Sequence, residues 1–106
     1  MSINCIRTLI EDANASNPNK VALIFGNEKL TYNELFTKVN QIAYYLSELD
    51  LPKGSRIGVY SNKGIDQVVA ILAILSTNYV LVPLTKLLKS EQVEYIISDC
   101  NIKCII

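Results

Sequence analysis

At 106 residues the chain has room for one domain with its own core, and it is short for an enzyme that must hold several substrates. Half of the residues are apolar and about a fifth are charged, the balance of an ordinary globular protein. Ten basic side chains match ten acidic ones, so no net field draws in nucleic acid or an anionic membrane, and the tyrosines are not interleaved with a basic stripe.

In chain order, "INCIRTLIEDANA" places Cys5, Ile6, Leu9, Ile10 and Ala13 on one helical stripe, and "SNPN" ends it with loop chemistry. "VALIF" and "EKLTY" flank Gly26-Asn27, a two-residue connection that predicts a β-hairpin whose first turn residue needs positive φ. Thr31 and Glu34 then form a capping box, with Leu30 and Leu35 placed as a hydrophobic staple. Leu35, Val39, Ile42, Leu46 and Leu49 follow at helical spacing, which predicts a helix from Tyr32 to about Leu49 with one apolar face. "DLPKG" breaks it.

"RIGVY" reads as a strand, "SNKG" as a loop, and Ile65 to about Ser76 as a helix apolar nearly all round, which must be covered on more than one side. "NYVLVP" is a short strand closed by Pro83. A helix from about Lys89 to Asp99 turns Val93, Ile96 and Ile97 inward, Asn101 suits a left-handed cap, and "KCII" is a further strand. Strand, helix, strand, helix, strand with short connections predicts a parallel sheet. The fold class is therefore α/β: an N-terminal helix and β-hairpin, then a three-stranded parallel β-α-β-α-β unit. An apolar strand at the chain's end points to a fragment of a larger domain.

The strand-loop-helix at Arg56–Leu75 has the element order of a phosphate-binding loop, with Gly58, Lys63 and Gly64 as its candidate residues. The spacing is wrong. Lys63 precedes the second glycine, Ile65 and Asp66 stand where a lysine and a hydroxyl are needed, and Asp66 would repel phosphate at the helix start. The dinucleotide pattern of three spaced glycines is also absent. Gly64 reads as a helix N-cap instead.

Other chemistry is sparse. There is no histidine, hence neither the commonest zinc ligand nor the commonest general base. Cys5, Cys100 and Cys104 read as core thiols in a reducing cytoplasm rather than a disulfide framework or a redox pair. Glu11 with Asp12, and Glu91 with Glu94, read as solvated carboxylates. Ser61 and Ser90 lack a base, and Lys86 with Lys89 makes a weakly basic loop. The N-terminal residues show no charged-then-apolar signal pattern. The longest apolar run, "VVAILAIL", is far short of the roughly 20 residues of a membrane span.

"NKVALIFGNEKLTYNELFTKVNQIAYYL", "KGSRIGVY", "VVAILAIL", "YVLVPL" and "LLKSEQVEYIISDC" together resemble, in the same order, the opening of the large domain of AMP-forming adenylating enzymes. That superfamily holds acyl-CoA synthetases, adenylation domains of non-ribosomal peptide synthetases, and luciferases. The resemblance runs from about residue 18 to 106 and implies that residues 1–106 are an N-terminal fragment of a partial subdomain of that fold. Its enzymes activate a carboxylic acid with ATP and magnesium to an acyl-adenylate, then pass the acyl group to coenzyme A or a carrier-protein pantetheine.

The family's phosphate loop, adenine segment, ribose-binding aspartate and catalytic lysine all lie downstream. The resemblance therefore assigns this chain no catalytic, cofactor-binding or metal residue and no bound cofactor. It also implies that the helix after "RIGVY" is scaffold. "LLKSEQVEYIISDC" leans toward acyl-CoA ligases. Asn78 stands at the family's usual glycine, where it could keep a left-handed turn, and Thr85 and Lys86 replace an aspartate-proline pair. The partner expected is the remainder of the ligase, with self-association of the fragment through its uncovered sheet edge or apolar helix. The alternative is a free-standing, non-catalytic interaction module on the same scaffold.

Overall fold

The computed structural model describes residues 5–84 and 88–106, with side chains from Thr8 onward; the side chains of Cys5 and Ile6 in the first stripe, and Thr85 and Lys86 entirely, lie outside what is described. The elements are α1 (Cys5–Ser16), β1 (Val21–Phe25), β2 (Glu28–Thr31), α2 (Tyr32–Glu48), β3 (Arg56–Tyr60), α3 (Ile65–Leu75), β4 (Val80–Leu84), α4 (Ser90–Asp99) and β5 (Ile102–Ile105).

β1 and β2 pair antiparallel across Gly26-Asn27, and Gly26 takes the positive φ of 61° that the tight turn demands. The start of α2 is fixed as the sequence predicts. The Thr31 N–H donates to Glu34 Oε1 at 3.0 Å and the Glu34 N–H donates to Thr31 Oγ1 at 3.2 Å. Leu30 and Leu35 are both buried in the cluster beneath this junction, where a staple would hold the chain's entry angle. Leu35, Val39 and Leu46 are buried along α2, with Ile42 and Leu49 packed beside them.

The second sheet is parallel, in the order β4-β3-β5, so both crossovers start or end beside the central strand. One face of it turns Ile57 and Val59 into a cluster with Leu46 of α2 and Ala70 and Ile74 of α3. The opposite face holds Leu84, Val93 of α4 and Ile102, with Tyr60, Ile96, Ile97 and Cys100 packed against them. A third cluster joins α1, the hairpin, α2 and α3 through Ile10, Leu30, Leu35, Val39, Ile65, Val69 and Ala73. α3 thus belongs to two clusters at once, which is why its sequence is apolar nearly all round.

Long-range hydrogen bonds tie these layers together. The Tyr79 hydroxyl donates to the Leu46 carbonyl at 3.1 Å and accepts from the Leu51 N–H at 3.3 Å, fixing the end of α2 to the start of β4. Arg56 Nη1 donates to the Cys100 carbonyl at 2.7 Å, placing a cation where α4 ends in unpaired carbonyls.

Three expectations need correction. Leu9 is 66% exposed, so among the described side chains the α1 stripe narrows to Ile10 with half-buried Ala13. β4 does not close at Pro83 but runs through it to Leu84, because an edge strand tolerates proline wherever its missing N–H would face outward. Asn78 is not left-handed; the positive-φ residues other than glycine among those described are Asp50 at 51°, just after α2, and Asn101 at 54°, just after α4. The turn between α3 and β4 is instead held by the Thr77 hydroxyl, which donates to the Ile74 carbonyl at 2.6 Å and accepts from the Tyr79 N–H at 3.1 Å.

Candidate functional site

The strand-loop-helix that resembles a phosphate loop is built from β3, residues 61–64 and α3. A phosphate site of this kind needs its glycines in the loop, with their amides turned to the ligand. Gly58 is not in the loop. It lies mid-way along the central strand, opposite Val82 on one side and Ile105 on the other. A Cβ there would meet Leu84 Cδ1 at 3.3 Å, Ile105 Cγ1 at 3.4 Å and Ile102 Cγ2 at 3.5 Å. Its lack of a side chain lets those three residues close over the strand, a packing role that excludes approach by a phosphate.

Gly64 is extended and precedes α3 as its N-cap, without a side chain to cap the first amides. A Cβ on it would meet no other protein atom within 4 Å, so internal packing does not demand glycine here. Lys63 and Asp66 are both exposed, and the Asp66 carboxylate stands in the first turn of α3, where it complements the positive end of the helix dipole. Ser61 is half-buried and its Oγ has no protein hydrogen-bond partner.

The remaining candidates stay apart. Cys100 packs with Leu84, Val93 and Ile102 on one face of the sheet, whereas Cys104 packs with Leu46 and Ile57 on the other, so the sheet separates the two thiols. Glu11, Asp12, Glu91 and Glu94 are all exposed, as are Ser90 and Lys89. The Lys89 N–H donates to Gln92 Oε1 at 2.8 Å, which makes this segment the entry of α4. Lys86 lies outside the described residues. Among the described residues, no three His, Cys, Asp or Glu side chains gather as a metal site would need.

Glu34 is the carboxylate with a perturbed titration, held below its ordinary value first by the hydrogen bond from the Thr31 backbone, then by the Thr31 side chain, with Lys38 adding a smaller effect. That is capping chemistry, not catalysis. A groove of about 420 Å³, which the sequence did not signal, runs between the second half of α2 and the α3–β4 turn. Asn40, Tyr44, Ser47, Asp50, Lys53 and Asn78 are among the residues that line it.

A parallel sheet flanked by packed clusters is a fold that comparison with known proteins identifies. The AMP-binding enzyme family matches residues 10–106. The chain belongs to that family. It is 34% identical over 101 residues to gramicidin S synthase 1 of Brevibacillus brevis, a match that covers 95% of this chain and 9% of that protein. It is 30% identical over 101 residues to the medium/long-chain-fatty-acid–CoA/3-oxocholest-4-en-26-oate–CoA ligase of Mycobacterium marinum, covering 95% of this chain and 18% of the relative.

The solved structures agree on the fold. The N-terminal subdomain of Klebsiella oxytoca NpsA superposes with a TM-score of 0.79 at 23% identity, over 93% of this chain and 26% of that one. The anthranilate CoA ligase AuaEII, in complex with anthranoyl-AMP, superposes with a TM-score of 0.84 at 22% identity, over 99% of this chain and 20% of that one. This AMP-binding family chain is thus a partial N-terminal segment of the adenylate-forming fold, spanning between about a tenth and a quarter of the proteins named here. Its homologues include both peptide-synthetase adenylation domains and acyl-CoA ligases. No helix among the described residues is long and apolar enough to cross a membrane.

Proposed function

We propose that the chain is the opening part of an AMP-forming acid–thiol ligase, of which it supplies scaffold and no reacting group. The whole enzyme would use ATP with magnesium to convert a carboxylic acid to an acyl-adenylate, then form a thioester on coenzyme A or a carrier-protein pantetheine, in the cytoplasm. One observation carries the reading: the family match runs over residues 10–106 while Gly58, the glycine that gives β3–α3 its nucleotide-loop look, is a packing residue of the central strand.

In this reading the principal partner is the rest of the ligase. The isolated chain would associate with itself, because Ile105 and Ile106 stay 40% and 37% exposed beside the open side of β5. Light scattering at low micromolar concentration tests that part, and a clean monomer would remove it.

The decisive experiment is acid-dependent ATP–pyrophosphate exchange, run on the 106-residue chain and on the product of its complete reading frame over a panel of carboxylic acids. Exchange by the longer product and none by the chain alone is expected. Exchange by the chain itself, above a contaminant control, would overturn the assignment of scaffold.

A further inference from the structure

We draw no further inference here: the strongest candidate, the groove of about 420 Å³ between the second half of α2 and the α3–β4 turn, has its Ser47, Ser76, Thr77 and Tyr79 hydroxyls donating to the protein's own backbone, and nothing in the structure shows what would occupy it.

Discussion

Replacing Leu46 by alanine separates the structural account from a reading of sequence periodicity. Leu46 is fully buried, within a cluster formed by Ile57, Val59, Ala70 and Ile74. Removing three carbons loses about 2.4 kcal/mol of transfer free energy at roughly 0.8 kcal/mol per buried carbon. The site is poorly placed to collapse around the hole. The Leu46 carbonyl is held by the Tyr79 hydroxyl and by the Leu49 N–H, so the helix end is tied to β4 and to its own cap. A residual cavity then adds to the loss, giving about 3–4 kcal/mol. That is a large share of the roughly 5–15 kcal/mol that stabilises a typical domain, and it corresponds to a drop of about 15–25 °C in Tm for a chain of this size. Leu9→Ala is the control. It also sits on an apolar helical stripe, but at 66% exposure it should cost less than about 0.5 kcal/mol. Urea unfolding followed by circular dichroism measures both, with equal m-values required for the comparison. Comparable losses from the two variants would refute the placement of α2 against the sheet.

Four further outcomes rest on the same structure. Thr31→Ala should cost on the order of 1 kcal/mol by urea unfolding, whereas Glu34→Gln should keep most of the cap because an amide oxygen can still accept from the Thr31 N–H. Glu34 titrates below its ordinary value in the folded chain, so its contribution is present above the unfolded carboxylate pKa and is lost as pH falls through the folded one; Glu34→Gln should remove that part of the acid-side slope. Gly58→Val should destabilise by about 1–3 kcal/mol through overpacking against Leu84, Ile102 and Ile105, and a neutral result in thermal unfolding would contradict the closeness of those contacts. Millimolar ATP with magnesium should leave the melting temperature of wild type and Gly64→Ala unchanged; a saturable shift would show that the loop before α3 does bind nucleotide.

Local chemistry was the most legible part of the sequence. The capping box, the Gly26 turn and the left-handed Asn101 each depend on neighbours within a few residues, and all three appear where the pattern placed them. The α2 stripe was legible for a related reason, since a spacing of three and four leaves only one face to bury. What could not be read were properties set by residues distant in sequence. Leu9 fits the α1 periodicity as well as Ile10 does, and only the position of α2, the hairpin and α3 decides which of them is covered. Asn78 looked like a substitute for a left-handed glycine, but Thr77 and the Gly54 N–H, which donates to the Asn78 carbonyl at 2.8 Å, organise that turn differently. The groove formed by α2 and the α3–β4 turn had no linear signature, because its lining comes from three separated segments.

The two outer edges of the parallel sheet are also unequal, and the difference follows from hydrogen-bond direction. The Val80 N–H donates inward to the Ser55 carbonyl at 2.8 Å, so alternation along β4 turns position 83 outward. Proline occupies it. That position therefore offers no donor to another strand, a recognised way of blunting an edge. On β5, the Ile106 N–H donates to the Gly58 carbonyl at 2.9 Å and its carbonyl accepts from the Tyr60 N–H at 3.1 Å, so Ile105 is the residue whose amide and carbonyl face outward. The opposite end of β5 is disturbed. Arg56 pairs with Ile102 while Ile57 pairs with Cys104, leaving Lys103 as an extra residue that bends the strand and puts a charge there. Both edges keep outward-facing backbone groups, at Leu81 on β4 and at Ile105 on β5, where the carbonyl also accepts from the Cys104 thiol at 3.9 Å. Proline at position 83 on β4 and the charged Lys103 on β5 each limit pairing with a further strand, and they act at opposite edges of the sheet.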